Sequence, residues 1–122
     1  MESFTLKIQD HISSAHFLRG YAGKCKELHG HNWKVLVAIK GEKLDSIGMV
    51  ADFGELKEKL HAFLAGCDHC CLNDIPFFKT NNPTTENIAR YIYQEFGNAI
   101  APLSIAYVEV WESDICSVVY TA

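Results

Sequence analysis

The chain is 122 residues long, 48% hydrophobic and 21% charged, with a formal net charge of −4. Such a chain reads as one soluble globular domain, 1–122, long enough to bury a core without disulfide support. The charge balance excludes a general nucleic-acid surface, which needs a basic face, and no apolar run approaches the roughly 20 residues of a membrane span.

The N-terminus, Met1-Glu2-Ser3-Phe4-Thr5-Leu6-Lys7, lacks the charged-then-apolar pattern of a secretion signal, which points to a cytoplasmic protein. Five cysteines, Cys25, Cys67, Cys70, Cys71 and Cys116, then read as free thiols or ligands. Lys7, Arg19, Lys24, Lys26 and Lys34 give the first third a positive bias suited to a small anionic substrate.

In sequence order, Phe4-Thr5-Leu6-Lys7-Ile8 alternates as a strand does, and His11 to Leu18 continues in mixed fashion. Arg19 to Leu28, with two glycines and several charges, reads as a functional loop. His31 to Lys40 is rich in β-branched and apolar residues and reads as a second strand. Asp52 is placed as a helix N-cap with Glu55 completing a capping box. Phe53, Leu56, Leu60, Phe63 and Leu64 follow as an apolar stripe, ending near Gly66. Pro76 and Pro83 bracket an expected loop. Thr84-Thr85-Glu86 starts a second helix with Ile88, Ala89, Ile92 and Phe96 on its apolar face, and Gly97 and Pro102 mark its exit. Two strands end the sequence, Ile105 to Trp111 and Ile115 to Tyr120.

The order ββααββ predicts an α+β domain, an antiparallel four-stranded sheet with two helices on one face. The sheet's other face and its edges are left open, and oligomerisation into a closed barrel would cover them.

The chemistry concentrates in Cys25-Lys26-Glu27-Leu28-His29-Gly30-His31. On a strand, His29 and His31 project from one face, and His16 on the preceding strand can join them. Three imidazoles make a zinc site with one coordination position open, as a catalytic metal has. Cys25 reads either as a fourth ligand that closes the site or as a thiol activated beside the metal.

Asp68-His69 can act as a carboxylate–imidazole relay, or simply as a histidine at a helix C-terminus. Cys67, Cys70 and Cys71 have no partner C-x-x-C and make a poor second metal site. Glu112 shares strand parity with Val108 and Val110, at the end of an apolar face. A carboxylate there calls for a partner, and a ligand with two parallel N–H donors suits it. Thr84-Thr85-Glu86 reads first as a helix cap.

Together these pieces resemble the 6-pyruvoyltetrahydropterin synthase family, most closely its 6-carboxytetrahydropterin synthase branch from queuosine biosynthesis. The resemblance rests on Ser14-Ala15-His16-Phe17, Cys25-x-x-x-His29-Gly30-His31-Asn32, Asp52-Phe53-x-x-Leu56-Lys57 and Asp68-His69-x-x-Leu72-Asn73-Asp74. It extends to Asn82-Pro83-Thr84-Thr85-Glu86-Asn87 and Val110-x-Glu112-Ser113. It implies the tunnelling fold, a homohexamer built as a dimer of trimers, and zinc (Zn2+) on His16, His29 and His31. It further implies Cys25 as the proton-transferring thiol, Asp68 and His69 as its relay from a neighbouring subunit, and Glu112 with the Thr84 and Thr85 backbone as the pterin anchor. The implied reaction converts 7,8-dihydroneopterin triphosphate to 6-carboxy-5,6,7,8-tetrahydropterin, releasing acetaldehyde and triphosphate. The competing activities are a 6-pyruvoyltetrahydropterin synthase, which resembles this protein but carries a longer cysteine–histidine insert, and a non-enzymatic zinc- or pterin-binding module. Arg19, Lys24 or Lys26 would meet the triphosphate, an assignment that no family motif carries. One departure stands out: the family usually has a second histidine after Asp68-His69, and here that position is Cys70.

Overall fold

The computed structural model describes residues 1–23 and 26–122. Two long strands, β1 (Phe4–His16) and β2 (His29–Gly41), pair antiparallel in one unbroken register. That register runs from Phe4 opposite Gly41 to His16 opposite His29. The stretch read from sequence as a short strand plus a mixed segment is thus one strand. β3 (Ser104–Ser113) and β4 (Cys116–Tyr120) complete a sheet in the order β1-β2-β3-β4, every neighbour antiparallel.

Because side chains alternate, the register puts Ile8 and Ile12 of β1 on the same face as Trp33, Val35 and Val37 of β2 and Val108 and Val110 of β3. All seven are buried. Against them pack α1 (Phe53–Leu64), with Leu56, Leu60 and Leu64, and a long helix over Thr85–Ile100, with Ile88, Ala89, Ile92, Phe96 and Ile100. Full burial of each large apolar side chain contributes about 1.5–3 kcal/mol, so this layer contact is the main source of stability. The fold is α+β, with the helices between the second and third strands.

Between the two packed helices the segment after Pro76 differs from expectation. It holds a short helix, α2 (Pro76–Thr80), preceded by a single 3-10 turn at Leu72–Asp74. Proline at a first helical position has a preset φ and lacks only an N–H that would be unpaired there, so Pro76 starts a helix where it was read as a loop boundary. Phe78 of this helix is buried. The long helix Thr85–Ile100 is therefore α3.

The helix starts follow their caps. The Asp52 carboxylate accepts from the backbone N–H groups of Gly54 and Glu55. Glu55 itself reaches forward to Lys59 at 3.4 Å, an i,i+4 pair that replaces the return half of the expected capping box. Thr84 Oγ1 accepts from the Asn87 N–H at 3.1 Å and starts α3.

The edge of β1 is partly covered by the segment that follows α1. His69 N–H donates to the Ser13 carbonyl (2.7 Å) and Ala15 N–H donates to the Cys70 carbonyl (2.9 Å). This short parallel pairing satisfies edge groups that would otherwise face outward. Among the described residues no helix is long and apolar enough to cross a membrane.

Candidate metal centre and adjoining cleft

The apolar face of the sheet ends in three histidines. His16 is the last residue of β1, His29 the first of β2, and His31 follows on the same face. Trp33, wholly buried, forms the floor, with its ring 4.9 Å from those of both His16 and His31. The candidate ligand atoms of the three histidines all lie within 4.8 Å of one another, the one such cluster among the described residues.

Backbone carbonyls set the tautomers. His16 Nδ1 lies 2.7 Å from the Pro83 carbonyl, and His29 Nδ1 lies 2.7 Å from the Glu27 carbonyl. A carbonyl only accepts, so each Nδ1 carries the proton and each neutral ring keeps a bare Nε2. Those two Nε2 atoms face each other at 3.0 Å. Two lone pairs at that distance repel unless a cation sits between them. Nitrogen ligands about 2.0–2.1 Å from a tetrahedral zinc lie only slightly further apart than this. His31 Nε2 is buried with no hydrogen-bond partner among the described residues, which supplies the third donor.

Burial also favours the ligand form. Desolvation pulls the His16 pKa below its ordinary value, opposed by the hydrogen bond to Pro83, with His29 and His31 adding to the depression. Desolvation depresses His31 likewise, opposed by the Glu112 carboxylate. Neutral imidazoles are what a metal ion requires. The residues present therefore fit a metal ion held by three histidines, with the tautomer-setting outer layer that such sites use.

Glu112 reaches the same region from β3. Its Oε2 accepts from Thr85 Oγ1 at 3.1 Å, and Thr85 is buried at the first turn of α3. Its charge acts on both His16 and His31. Thr84, one residue earlier, caps α3 beside Pro83, whose carbonyl holds His16. The fold thus gathers His16, His29, His31, Glu112, Thr84 and Thr85 at one end of the sheet.

Asp68 and His69 form a pair of their own. His69 Nε2 lies 3.4 Å from Asp68 Oδ2, and Asp68 Oδ1 accepts from the Ser13 N–H at 2.8 Å. That hydrogen bond, helped by His69, holds the Asp68 carboxyl below its ordinary pKa. His69 adopts a left-handed backbone with φ of 51°. Non-glycine residues rarely do so, and such positions cluster at functional sites. Its side chain is 81% exposed and, among the described residues, pairs with Asp68 rather than with the histidine triad. His69 and His31 nevertheless line one open cleft of about 460 Å³, with Ser13, Asn32 and Cys70.

Cys25 and Lys24 lie outside the described residues. Arg19 is engaged elsewhere, its Nη2 donating to the Phe78 carbonyl at 2.7 Å. The Cys67 thiol is buried and its pKa is pushed up to about 12, mainly by desolvation, which makes it a poor nucleophile.

The model of the 6-pyruvoyl tetrahydropterin synthase family matches residues 5–122. The protein belongs to this family. It is 40% identical over 96 residues to the 6-carboxy-5,6,7,8-tetrahydropterin synthase of Bacillus subtilis, covering 75% of this sequence and 64% of that protein. It is 39% identical over 103 residues to human 6-pyruvoyl tetrahydrobiopterin synthase, covering 80% of this sequence and 70% of that one. Among solved structures, 6-pyruvoyl tetrahydropterin synthase from Caenorhabditis elegans superposes with a TM-score of 0.89 at 30% identity, over 100% of this protein and 97% of that one.

The carbonyls of Pro83 and Glu27 carry no side-chain signature that sequence reasoning could have used. Their roles arise only when β1, β2 and the start of α3 are brought together.

Proposed function

We propose that this protein is a zinc-dependent 6-carboxytetrahydropterin synthase acting on 7,8-dihydroneopterin triphosphate. The observation that carries the metal half of this reading is the convergence of the bare Nε2 atoms of His16 and His29 with the orphaned Nε2 of His31. The choice of product rests on the spacing in Cys25-x-x-x-His29, since the likeness to pyruvoyl-forming synthases comes with a longer insert there. Identities of 40% and 39% to the two kinds of relative do not separate them.

His16, His29 and His31 would hold the zinc, whose open position supplies Lewis-acid chemistry that lowers the pKa of the substrate's hydroxyls. Glu112, already accepting from Thr85, would accept from the 2-amino and N3–H donors of the pterin ring. Cys25 would carry the proton taken from the substituent at C6, and His69, held by Asp68, would return a proton to the ring system. The exposed His69 side chain, paired with Asp68 at the rim of the cleft that His31 also lines, suits action toward a neighbouring subunit in a barrel-shaped hexamer. The balanced reaction takes up one water: the C6 substituent is oxidised as the pyrazine ring is reduced. The C–O bond to triphosphate and one carbon–carbon bond of that substituent break, leaving the carboxylate at C6 and free acetaldehyde. No external oxidant or reductant is needed, and the enzyme would serve queuosine biosynthesis in the cytoplasm.

Substituting Cys25→Ala tests the assignment of roles. Full zinc content with turnover lost supports a catalytic thiol; loss of zinc would make Cys25 a fourth ligand and the protein a closed zinc-binding module.

A further inference from the structure

The backbone leaving β1 after His16 is held by two asparagine side chains in the same way. Asn73 Oδ1 accepts from the Phe17 N–H at 3.0 Å, and its Nδ2 donates to the Phe17 carbonyl at 3.0 Å. Asn82 Oδ1 accepts from the Arg19 N–H at 3.0 Å, and its Nδ2 donates to the Arg19 carbonyl at 2.8 Å. Each asparagine amide thus acts as a backbone surrogate, pairing both polar groups of one residue.

The two clamps differ in what stands behind them. Asn73 belongs to the 3-10 turn at Leu72–Asp74, away from the residue that holds His16. Asn82 is bonded directly to Pro83, whose carbonyl receives the His16 Nδ1–H at 2.7 Å. The Asn82 carbonyl accepts from the Thr84 N–H at 2.8 Å and from Asn87 Nδ2 at 2.9 Å. Asn82 therefore ties the backbone just after His16 to the first turn of α3, and the peptide that selects the His16 tautomer sits in the middle of that tie.

We propose that Asn82 is a positioning residue of the metal centre, fixing the Pro83 carbonyl so that His16 presents a bare Nε2 toward His29 and His31. The carbonyl has no side chain through which to be placed, so its position depends on the bonds of its neighbours. Without the Asn82 amide, the link from Arg19 to α3 is lost, and the Pro83 peptide is held only from the α3 side, through the Asn82 carbonyl. The acceptor that distinguishes the two nitrogens of His16 is then less firmly placed. Outer-layer partners of histidine ligands typically change metal affinity by about ten- to a hundred-fold when removed.

This inference rests on the reading of the triad as a metal site and is independent of the pterin chemistry. Its test compares Asn82→Ala with Asn73→Ala, titrating the purified metal-free protein with zinc against a chromophoric chelator. Both variants remove two hydrogen bonds to the backbone after His16, and Asn73 is the more buried and the nearer to His16, so a merely structural role predicts a loss for Asn73→Ala at least as large as for Asn82→Ala. The expected result is a zinc affinity about ten- to a hundred-fold weaker for Asn82→Ala and within about threefold of wild type for Asn73→Ala. Equal effects of the two substitutions, or an unchanged affinity in Asn82→Ala, would overturn the proposal. If Asn82→Ala loses the circular dichroism of the wild type, Asn82→Asp is read by the same criterion, since it keeps the acceptor for Arg19 N–H and removes only the donor. Absence of turnover by the wild-type protein would end the functional reading and leave this one standing.

Discussion

His16 and His29 face each other across β1 and β2 with their Nε2 atoms 3.0 Å apart, each ring turned so that its Nδ1–H meets a backbone carbonyl. Nothing in a metal-free fold rewards that arrangement, because two lone pairs are brought together and a third imidazole, His31, leaves a buried Nε2 unpaired. The strand register creates the confrontation, and a bound cation would resolve it.

Metal binding should therefore stabilise the folded protein. At zinc concentrations about a thousand times the dissociation constant, ligation adds about 4 kcal/mol. Calorimetry should show a higher melting temperature with zinc than after chelation. In His29→Ala the two scans should coincide; a retained zinc-dependent shift would remove His29 from the ligand set.

Glu112→Gln keeps the size of the side chain and removes the charge. If the carboxylate anchors the pterin, kcat/KM should fall about ten- to a hundred-fold, the cost of a charge-assisted hydrogen bond, with zinc content unchanged. Steady-state kinetics alongside metal analysis would decide this. Unaltered kinetics would place Glu112 outside the substrate site and leave only its bond to Thr85.

Asp68 links the candidate relay to the edge of β1, and its folded pKa lies below the ordinary carboxylate value because of the Ser13 N–H. A depressed carboxylate pKa stabilises the fold above the ordinary value of about 4 and loses that contribution as pH falls through the folded value. Asp68→Asn keeps an acceptor for Ser13 but does not titrate. Urea midpoints should show the gap between wild type and Asp68→Asn narrowing as pH drops below about 4. A gap constant across that range would mean that the carboxylate charge contributes nothing there.

Cysteine chemistry should be sharply unequal. Cys67 is buried with its pKa raised to about 12, whereas Cys116 is exposed at the start of β4. Alkylation near pH 8 followed by peptide mass analysis should modify Cys116 and spare Cys67 in the folded protein. Rapid labelling of Cys67 would mean that the segment after α1 opens easily.

Much of this site was legible in the residues themselves. Strand parity placed His29 and His31 on one face and put Glu112 at the end of another apolar row, and both placements hold. Helix α1 followed from Asp52 and the stripe Leu56, Leu60, Leu64. Helix α2 was not legible because Pro76 signals a loop boundary and a first helical residue equally well. The Pro83 and Glu27 carbonyls were hidden for a deeper reason. They act through the backbone, and which carbonyl meets which ring depends on the register of strands far apart in sequence. The same holds for Asp68, whose acceptor role toward Ser13 joins segments far apart in the sequence.

The central claim is tested most directly by incubating the zinc-loaded protein with 7,8-dihydroneopterin triphosphate, identifying the pterin by mass and assaying acetaldehyde. The account predicts 6-carboxytetrahydropterin and acetaldehyde in equal amounts. A 6-pyruvoyl product without acetaldehyde, or no turnover of this substrate, would contradict it.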